Sequence, residues 1–461
     1  METLILAFMI FFSATSWGAG TAFSDTVAVS LNEAVSIALC NNPEINASQA
    51  LLGKADEDYK AALGLNLPEI SARKSSTRLD SPMELSVGPM HAAITDERID
   101  LDKLVLNWPL YMGGKIQAGI KAADLARNVA EFSAVLTREK IILQVSENYL
   151  GYLKAARLET VIREAIETVN SHRHDVEKAV ENGAALESDL LRVDVRLAEL
   201  RKNLIEVKNG RNLALAALIK NLGTDKKFRL MENDRLVGCG FSADSAETTA
   251  EISILVNLLP ESPDGFVSYA GIRPELKLIS FNRRMLAEAE KAERADNYPQ
   301  VFLQYENHSG TELSEHDGGY SYTWVLNWKF FDGGRSGHKS KALHEQARAV
   351  SFQEQDVKSG LTLMIRSDFF NLLKFRSQLE CGKSEVAAAK KNLSVVTAQY
   401  KGGAVNNSNY LDAQLELNKA ETDLFSTEYD CYLAYYRFMK SIGKLEKMFP
   451  DKLNTLGGCD E

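Results

Sequence analysis

Several features that mark familiar protein classes are scarce or missing in this sequence of 461 residues. The five cysteines are an odd, widely spaced set without a CxxC pair, so neither a disulfide framework nor a zinc site is predicted. There is no basic excess, because the net charge is -10, and a nucleic-acid partner is therefore not expected. No GxSxG or HExxH motif occurs, so the sequence predicts no enzyme, no cofactor and no metal site.

Long apolar segments are also missing after the N-terminus. No internal stretch approaches the ~18 uncharged apolar residues of a membrane-spanning helix, and none is predicted. At the N-terminus, Leu4 to Phe12 is almost wholly apolar, and small residues follow up to Ala22. This pattern predicts a secretory signal peptide over residues 1–22, although Glu2 stands where a basic residue is usual.

Proline is absent from two windows of about 150 residues each, which follow Pro109 and Pro299. Because a proline inside a helix costs roughly 3 kcal/mol, its absence permits very long helices. Apolar residues in both windows recur at helical spacing, and Gly183 and Gly403 interrupt the pattern. Each window therefore predicts an antiparallel, coiled-coil-like hairpin with a glycine at its tip. The predicted helices cover about residues 115–180, 186–222, 336–401 and 407–442.

The chain contains one long segment twice. LNWPLYMGG at 106–114 recurs as LNWKFFDGG at 326–334, and the same offset of 220 relates Gly183 to Gly403. A period this long is far above that of solenoid repeats, so each copy is a large supersecondary block. The first repeat, the connection, the second repeat and the tail are predicted at residues 23–223, 224–271, 272–443 and 444–461.

Ahead of each long helix the apolar period changes to two. From Tyr320 to Phe330 every even-numbered residue is apolar or aromatic, and the first copy alternates in the same phase. About eleven such residues suffice for a tilted membrane-spanning strand, and tryptophan and tyrosine favour the membrane interface. A soluble sandwich with one buried face is the alternative. The predicted lipid-facing belt comprises Trp108, Tyr320, Tyr322, Trp324, Trp328 and Phe330.

The sequence predicts four such strands, at about residues 68–80, 99–111, 299–308 and 319–331. Open sheet edges are not tolerated in lipid, because each unpaired backbone group there costs several kcal/mol. Four strands cannot close a barrel alone, so the chain is expected to oligomerise, and three chains would supply twelve strands. The attached helices would then form a helical cylinder continuous with the barrel.

Four kinds of segment carry a resemblance to a known family. They are SLNEAVSIALCNNPEI (30–45), the two LNW…GG joins, NGAALESDLL (182–191) and YKGGAVNNSNYLDAQ (400–414). In these segments the chain resembles the bacterial outer-membrane efflux proteins, the TolC-like trimeric channel-tunnels. The resemblance implies a mainly α fold with transmembrane β, in which two tandem repeats build a periplasmic α-barrel. It also implies that four strands per protomer complete a 12-stranded β-barrel of a homotrimer in the outer membrane.

The same resemblance implies partners and a mode of action. A periplasmic adaptor would join the trimer to an inner-membrane pump of the RND, ABC or MFS class, and export through the duct would be passive. A type I secretion conduit for polypeptides shares the predicted fold and stays open as an alternative. A soluble periplasmic coiled-coil scaffold would explain the helices but not the phased aromatic strands.

The resemblance also places a periplasmic gate at the hairpin tips. Tyr400 and Asp412 match the tyrosine and the second aspartate of the family pattern, and Asp189 matches its acidic residue in the first copy. Val405 stands where an arginine often lies, and Asn409 replaces the first aspartate. Three copies of Asp412 would form a carboxylate ring that attracts cations. The alternative is that Asp412 is a solvated helix residue.

Small residues cluster at both predicted tips. They are Gly183, Ala184, Ala185, Gly403, Ala404 and Val405. Because small side chains allow a second helical hairpin to approach closely, the adaptor is expected to dock there. Ordinary turn chemistry would explain the glycines but not the alanines.

Two histidines near the first tip complete the candidates. His172 and His174 lie two residues apart on a predicted helix, and therefore on different faces. Both are expected to be solvated rather than to bind a metal.

Overall fold

The computed structural model describes residues 27–81, 84–93, 98–224, 228–230, 262–310 and 319–449. The predicted signal peptide, most of the predicted connection and the end of the tail lie outside these ranges. Eight α-helices lie within them: α1 Leu31–Asn41, α2 Pro43–Gly64, α3 Lys115–Glu181, α4 Glu187–Leu222, α5 Asp264–Val267, α6 Pro274–Ala295, α7 Arg335–Lys401 and α8 Asn407–Ser441. Short 3-10 turns cover Ser268–Ile272 and Glu446–Met448.

Eight strands belong to three sheets in the described ranges. They are β1 Val27–Val29, β2 Glu69–Arg78, β3 Glu84–Val87, β4 Met90–Ala93, β5 Arg98–Met112, β6 Phe228–Leu230, β7 Gln300–Gly310 and β8 Gly319–Asn327. The main sheet is antiparallel with the order β2-β5-β7-β8, and its strands correspond to the four predicted from the period of two. The β3-β4 hairpin and the parallel β1-β6 pair were not predicted.

The last strand is shorter than its alternation predicts. β8 ends at Asn327, so Trp328 and Phe330 follow the strand, and the predicted bound of 331 is wrong. The cause is the neighbouring strand, because Asn327 pairs with Gln300, the first residue of β7. Beyond this pair β8 has no ladder partner on β7. Trp328 instead donates its indole N–H to the carbonyl of Asn297 at 3.2 Å.

The register gives the main sheet one apolar and one polar face. Opposed positions on neighbouring antiparallel strands share a face. One transverse row of the apolar face consists of Ile70, Leu106, Tyr305 and Tyr322. The adjacent row of the polar face consists of Ser71, Val105, Glu306 and Ser321. The alternation holds on β5, β7 and β8 toward the long helices, whereas β2 continues the same face with Lys74, Ser76 and Arg78.

The long helices form two antiparallel hairpins, α3 with α4 and α7 with α8, and α3 also packs against α2, α6 and α8. The main core lies midway along α3 and α7 and at the C-terminal ends of α4 and α8, and it includes the fully buried Leu31, Ile142, Tyr149, Phe369 and Tyr436. A smaller core lies nearer the tips: Ala165, Val169, Val176, Val193, Leu197, Leu200 and Leu411. Among the described helices, none is both long and apolar enough to cross a membrane.

A buried ion pair network ties the two repeats together beside the main core. Arg273, whose side chain is 0% exposed, donates to Glu139 at 2.9 Å, to Glu275 at 2.7 Å and to the carbonyl of Lys440 at 2.6 Å. Breaking such a network by removing one partner typically costs about 3–5 kcal/mol. The repeats are therefore fixed to each other far from the hairpin tips.

Candidate gate at the hairpin tips

The two hairpin tips share one backbone design. After α3, Gly183 adopts a left-handed conformation with φ of 69°, and after α7, Gly403 does so with φ of 71°. The amides of Ala184 and Ala404 each donate to the carbonyl five residues back, at 2.7 and 2.9 Å. This Schellman arrangement satisfies carbonyls that the end of a helix leaves free. Since a β-carbon is disfavoured in this conformation, glycine stands at both positions.

The helices that leave the two tips begin differently. Asn406 precedes α8, and its side-chain oxygen accepts a hydrogen bond from the amide of Asn409 at 3.0 Å. Leu186 precedes α4, provides no side-chain cap and is 69% exposed. An asparagine cap stabilises a helix by about 1 kcal/mol relative to an apolar residue. The second tip is therefore better secured at its return helix than the first.

A chain of hydrogen bonds joins the first hairpin to the second close to the tips. His172 on α3 donates from Nε2 to Oδ1 of Asn407 on α8 at 2.6 Å. Asn407 in turn donates from Nδ2 to the main-chain carbonyl of Asp189 on α4 at 3.0 Å. The second bond fixes the amide orientation of Asn407 and, with it, the Nε2–H tautomer of His172. His172 and Asn407 are 6% and 4% exposed, so the buried Nε2–H of His172 depends on Asn407 for its hydrogen bond.

Two tyrosines of the second hairpin enclose the imidazole of His172. The ring centroid of Tyr410 lies 4.2 Å from that of His172, and that of Tyr400 lies 5.4 Å away, edge-on. The two phenol rings stack with their centroids 5.5 Å apart. Burial lowers the pKa of His172, because desolvation disfavours the imidazolium, and it raises the pKa of both tyrosines. We call His172, Asn407, Tyr400, Tyr410 and the Asp189 carbonyl the tip clasp.

The structure brings some predicted gate residues together and separates others. Tyr400 and the main chain of Asp189 belong to the tip clasp. Val405 is half-buried in the turn, and Asn409 is exposed on the first turn of α8. Asp412 is also exposed, and in the described part of the chain it has no hydrogen-bond or ion-pair partner. Its carboxylate therefore stands apart from the clasp.

The small residues at the tips are mostly open to solvent. Gly183, Ala184, Gly403 and Ala404 are exposed, whereas Ala185 and Val405 are half-buried. A second polar contact lies beside them, since Arg192 of α4 donates to the hydroxyl of Ser408 on α8 at 2.6 Å.

The most buried members of the clasp were not predicted as site residues. His172 was expected to be solvated, and this is wrong, because α8 covers it with Asn407 and Tyr410. A comparison of the two copies could have found the site, since Tyr410 and Asn407 replace Leu190 and Glu187 of the first copy at an offset of 220. Within the described ranges, no group of three or more His, Cys, Asp or Glu side chains is placed to hold a metal ion.

The opposite end of the molecule presents an exposed aromatic face. Tyr320, Tyr322, Trp324 and Phe330 are between 65% and 81% exposed. Large contiguous apolar patches of this kind mark surfaces that meet lipid or another protein. They lie on the apolar face that the strand register defines, except for Phe330, which follows β8.

The two belt tryptophans nearest the helices are anchored in the same way. Trp108 donates its indole N–H to the carbonyl of Asn66 at 3.3 Å, just after α2. Trp328 donates to Asn297, just after α6. The duplication therefore extends to a hydrogen bond that fixes the strands on the helices.

Both repeats of the chain match a known protein family. A family model for outer membrane efflux proteins matches residues 34–224 and 272–444, one segment for each repeat. The chain belongs to the outer membrane efflux protein family. It is an efflux duct of the outer membrane, not an enzyme, and its fold is that of the TolC-like channel-tunnels. Among curated proteins, no sequence matches it.

Solved structures of three membrane proteins have the same fold at low identity. CusC is 15% identical with a TM-score of 0.76, over 94% of this chain and 95% of that one. A membrane protein from Pseudomonas aeruginosa is 18% identical with a TM-score of 0.77, over 93% and 99% of the two chains. The CmeC outer membrane channel of Campylobacter jejuni is 15% identical with a TM-score of 0.73, over 95% and 94%.

Proposed function

We propose that three copies of the chain form the exit duct of a tripartite efflux system. The observation that carries this proposal is the main sheet, whose order β2-β5-β7-β8 gives β2 and β8 no further ladder partner in the described ranges. Unpaired backbone groups cost several kcal/mol each in lipid. β8 of one chain would pair antiparallel with β2 of the next, and three chains would close twelve strands.

The long helices supply the rest of the duct. α3 and α7 have 67 residues each, or about 100 Å at ~1.5 Å per residue. α3 follows β5 after two residues, and α7 follows β8 after seven residues. A closed ring of these hairpins would continue the lumen away from the membrane into the periplasm. Substrates would pass without chemistry, delivered by an inner-membrane pump through a periplasmic adaptor.

The gate would lie where the tips converge, formed by Asp189, Tyr400, Val405, Asn409 and Asp412. The exposed carboxylate of Asp412 supports a ring of three negative charges, which would attract multivalent cations. Since Val405 and Asn409 replace charged residues of the family pattern, we expect a looser closed state and weaker block by divalent ions. Conductance titrated with such a cation tests the assignment, and strong block that survives Asp412→Asn would refute it.

The exposed small residues at the tips support adaptor docking. Gly183, Ala184, Gly403 and Ala404 offer surface on which a second helical hairpin could lie close to the backbone. Ala185 and Val405 would contribute at the edge of this surface. Ala184→Trp and Ala404→Trp would block that approach, and loss of adaptor cross-linking without loss of the folded duct is the expected result.

Disulfide trapping tests the trimer. A cysteine replacing Ser71 on β2 is combined in turn with a cysteine at Ser321, Thr323 or Val325 on the same face of β8. One combination is expected to give covalent dimers and trimers in outer-membrane fractions. The control replaces Val105 of the central strand β5, which has neighbours on both sides. Monomers in every combination would contradict the proposed closure.

Deletion of the gene tests the efflux role. Growth is measured against dyes, antibiotics, detergents and metal salts, with and without complementation. Hypersensitivity reversed by complementation would support small-solute efflux, and its pattern would indicate the cargo. Unchanged growth with loss of a secreted polypeptide would instead favour a type I secretion conduit.

A further inference from the structure

The polar face of the main sheet carries three basic side chains in a single transverse row. Arg73 of β2 is opposite Lys103 of β5, and Lys103 is opposite His308 of β7. The row ends at Gly319 of β8, whose missing side chain leaves room for the imidazole of His308. Opposed residues in a sheet lie about 4.5–5.5 Å apart, so the register alone gathers these three groups. We call Arg73, Lys103 and His308 the basic row.

The acidic groups on this face balance the basic row only in part. Glu306, in the adjacent row, forms an ion pair with Lys103 at 2.9 Å, and its single negative charge also acts on Arg73 and His308. Arg73 is exposed and has no hydrogen-bond or ion-pair partner among the described residues. Glu69 lies four residues from Arg73 along β2, or about 13 Å at ~3.3 Å per residue, nearer the helices. The row therefore keeps a cationic excess at its own level.

The position of the basic row follows from the two faces of the sheet. The opposite face carries the exposed tyrosines and Trp324, so the basic row is on the side away from the predicted lipid contact. The row also lies toward the strand ends remote from the long helices, because β7 ends two residues after His308. In the trimeric duct proposed above, on which this step rests, three such rows would circle the lumen near its outer mouth.

We propose that the basic row is a binding site for multivalent anions at the outer end of the duct. Three copies would present three arginines, three Lys103–Glu306 pairs and three imidazoles to one solute. Arginine binds phosphate-like and carboxylate groups through two parallel hydrogen bonds, and several such groups on one solute would engage several chains together. A solute with one negative charge would gain only one such contact and would bind far more weakly. The duct would then have acidic groups at its periplasmic tip and a basic ring at its outer mouth.

The experiment measures block of single trimers by inorganic tripolyphosphate. The full-length protein is inserted into planar bilayers of phosphatidylethanolamine and phosphatidylglycerol in about 0.1 M KCl, where screening is moderate. Tripolyphosphate is added to the chamber into which the outer mouth of the duct opens, and it is expected to block the current. Arg73→Gln should raise the blocking concentration on the order of tenfold, since it removes a charge-assisted contact with the solute. Glu306→Gln removes a carboxylate and should lower that concentration.

The matched control is Lys74→Gln. Lys74 is the next residue on β2, lies on the opposite face of the sheet and pairs with Asp102 at 3.1 Å. Replacing Lys74 by glutamine changes the net charge by the same amount as Arg73→Gln. The proposal would be overturned if Lys74→Gln raised the blocking concentration as much as Arg73→Gln does. It would also be overturned if Arg73→Gln left the blocking concentration unchanged. Unit conductance without tripolyphosphate reports that each variant is folded. If the unsubstituted protein extracted from membranes is monomeric, the trimeric duct itself is refuted and the ring loses its basis.

Discussion

The two hairpin tips share a turn and differ in what surrounds it. Gly183 and Gly403 adopt the same left-handed conformation and close the same hydrogen bonds. Around them, the second copy has an asparagine cap and stacked tyrosines, whereas the first has the exposed, uncapping Leu186. Duplication has preserved what the backbone geometry requires and has let the side chains diverge.

That divergence makes the contact between the hairpins one-sided. The first hairpin contributes an imidazole and a main-chain carbonyl, and the second contributes the amide of Asn407 and two phenols. The clasp depends on side chains at the start of α8, whereas the start of α4 contributes the carbonyl of Asp189 and the guanidinium of Arg192, which donates to Ser408. Loss of the clasp is expected to release the second tip first.

The largest effect is expected from Asn407→Ala. The substitution leaves the buried Nε2–H of His172 and the carbonyl of Asp189 without their partner, at a cost of about 1–3 kcal/mol. Hydrogen exchange of the tip amides, followed by mass spectrometry, should accelerate on the order of tenfold or more around Ala404. Exchange around Ala184 should change less, since that turn does not depend on Asn407.

The control for this variant is Asn409→Ala, two residues along α8. The side chain of Asn409 is exposed, and only its backbone amide takes part in the cap, so the clasp stays intact. Equal acceleration around both tips in Asn407→Ala would show that the clasp serves the hairpins symmetrically. It would contradict the one-sided arrangement.

A somewhat smaller effect is expected when the shared turn is broken. Gly403→Ala forces a β-carbon into the left-handed conformation at about 1–2 kcal/mol, although the space itself is open. Gly402→Ala is the matched control, because Gly402 has a φ of -84° and a β-carbon there meets only ordinary contacts. Local exchange around Ala404 should accelerate in Gly403→Ala alone. Similar behaviour of both variants would show that the turn does not require a glycine for its φ.

Only part of this structure could be predicted from the sequence alone. The helices and the four membrane-facing strands follow from patterns of local spacing, and the glycines at the tips follow from backbone geometry. The tip clasp does not, because His172 and Asn407 lie 235 positions apart and meet only once α8 has packed on α3. The missed end of β8 has the same origin, since a strand stops where its neighbour does, and Gln300 is distant in sequence.

Acid is expected to loosen the clasp. Burial lowers the pKa of His172 from 6.5 in the folded chain, so the folded state takes up this proton less readily than the unfolded state. The stability contributed by the neutral imidazole is complete above about pH 6.5 and is lost as the pH falls through the folded pKa. The hydrogen bond to Asn407 and the charge of Asp175 both oppose this lowering of the His172 pKa and narrow the pH window, but they do not reverse it.

Exchange around Ala404, corrected for the intrinsic rate, is followed between about pH 7.5 and pH 5. Protection should fall with acid in the unsubstituted chain. His172→Gln retains a donor for Asn407 and removes the titrating group, so its protection should vary much less. An acid response that persists in His172→Gln would show that His172 is not the group responsible.

The smallest effect is expected from giving the first tip the cap that it lacks. Leu186→Asn offers a side-chain oxygen to the start of α4, as Asn406 does for α8, and should stabilise that turn by about 0.5–1 kcal/mol. Exchange around Ala184 should slow by a few-fold, and Leu186→Ala, which removes the same apolar side chain without adding a cap, should not slow it. Both variants should weaken adaptor cross-linking equally if the exposed leucine is a docking contact. Weakening by Leu186→Asn alone would mean that the adaptor needs a loosely capped first tip rather than the leucine side chain.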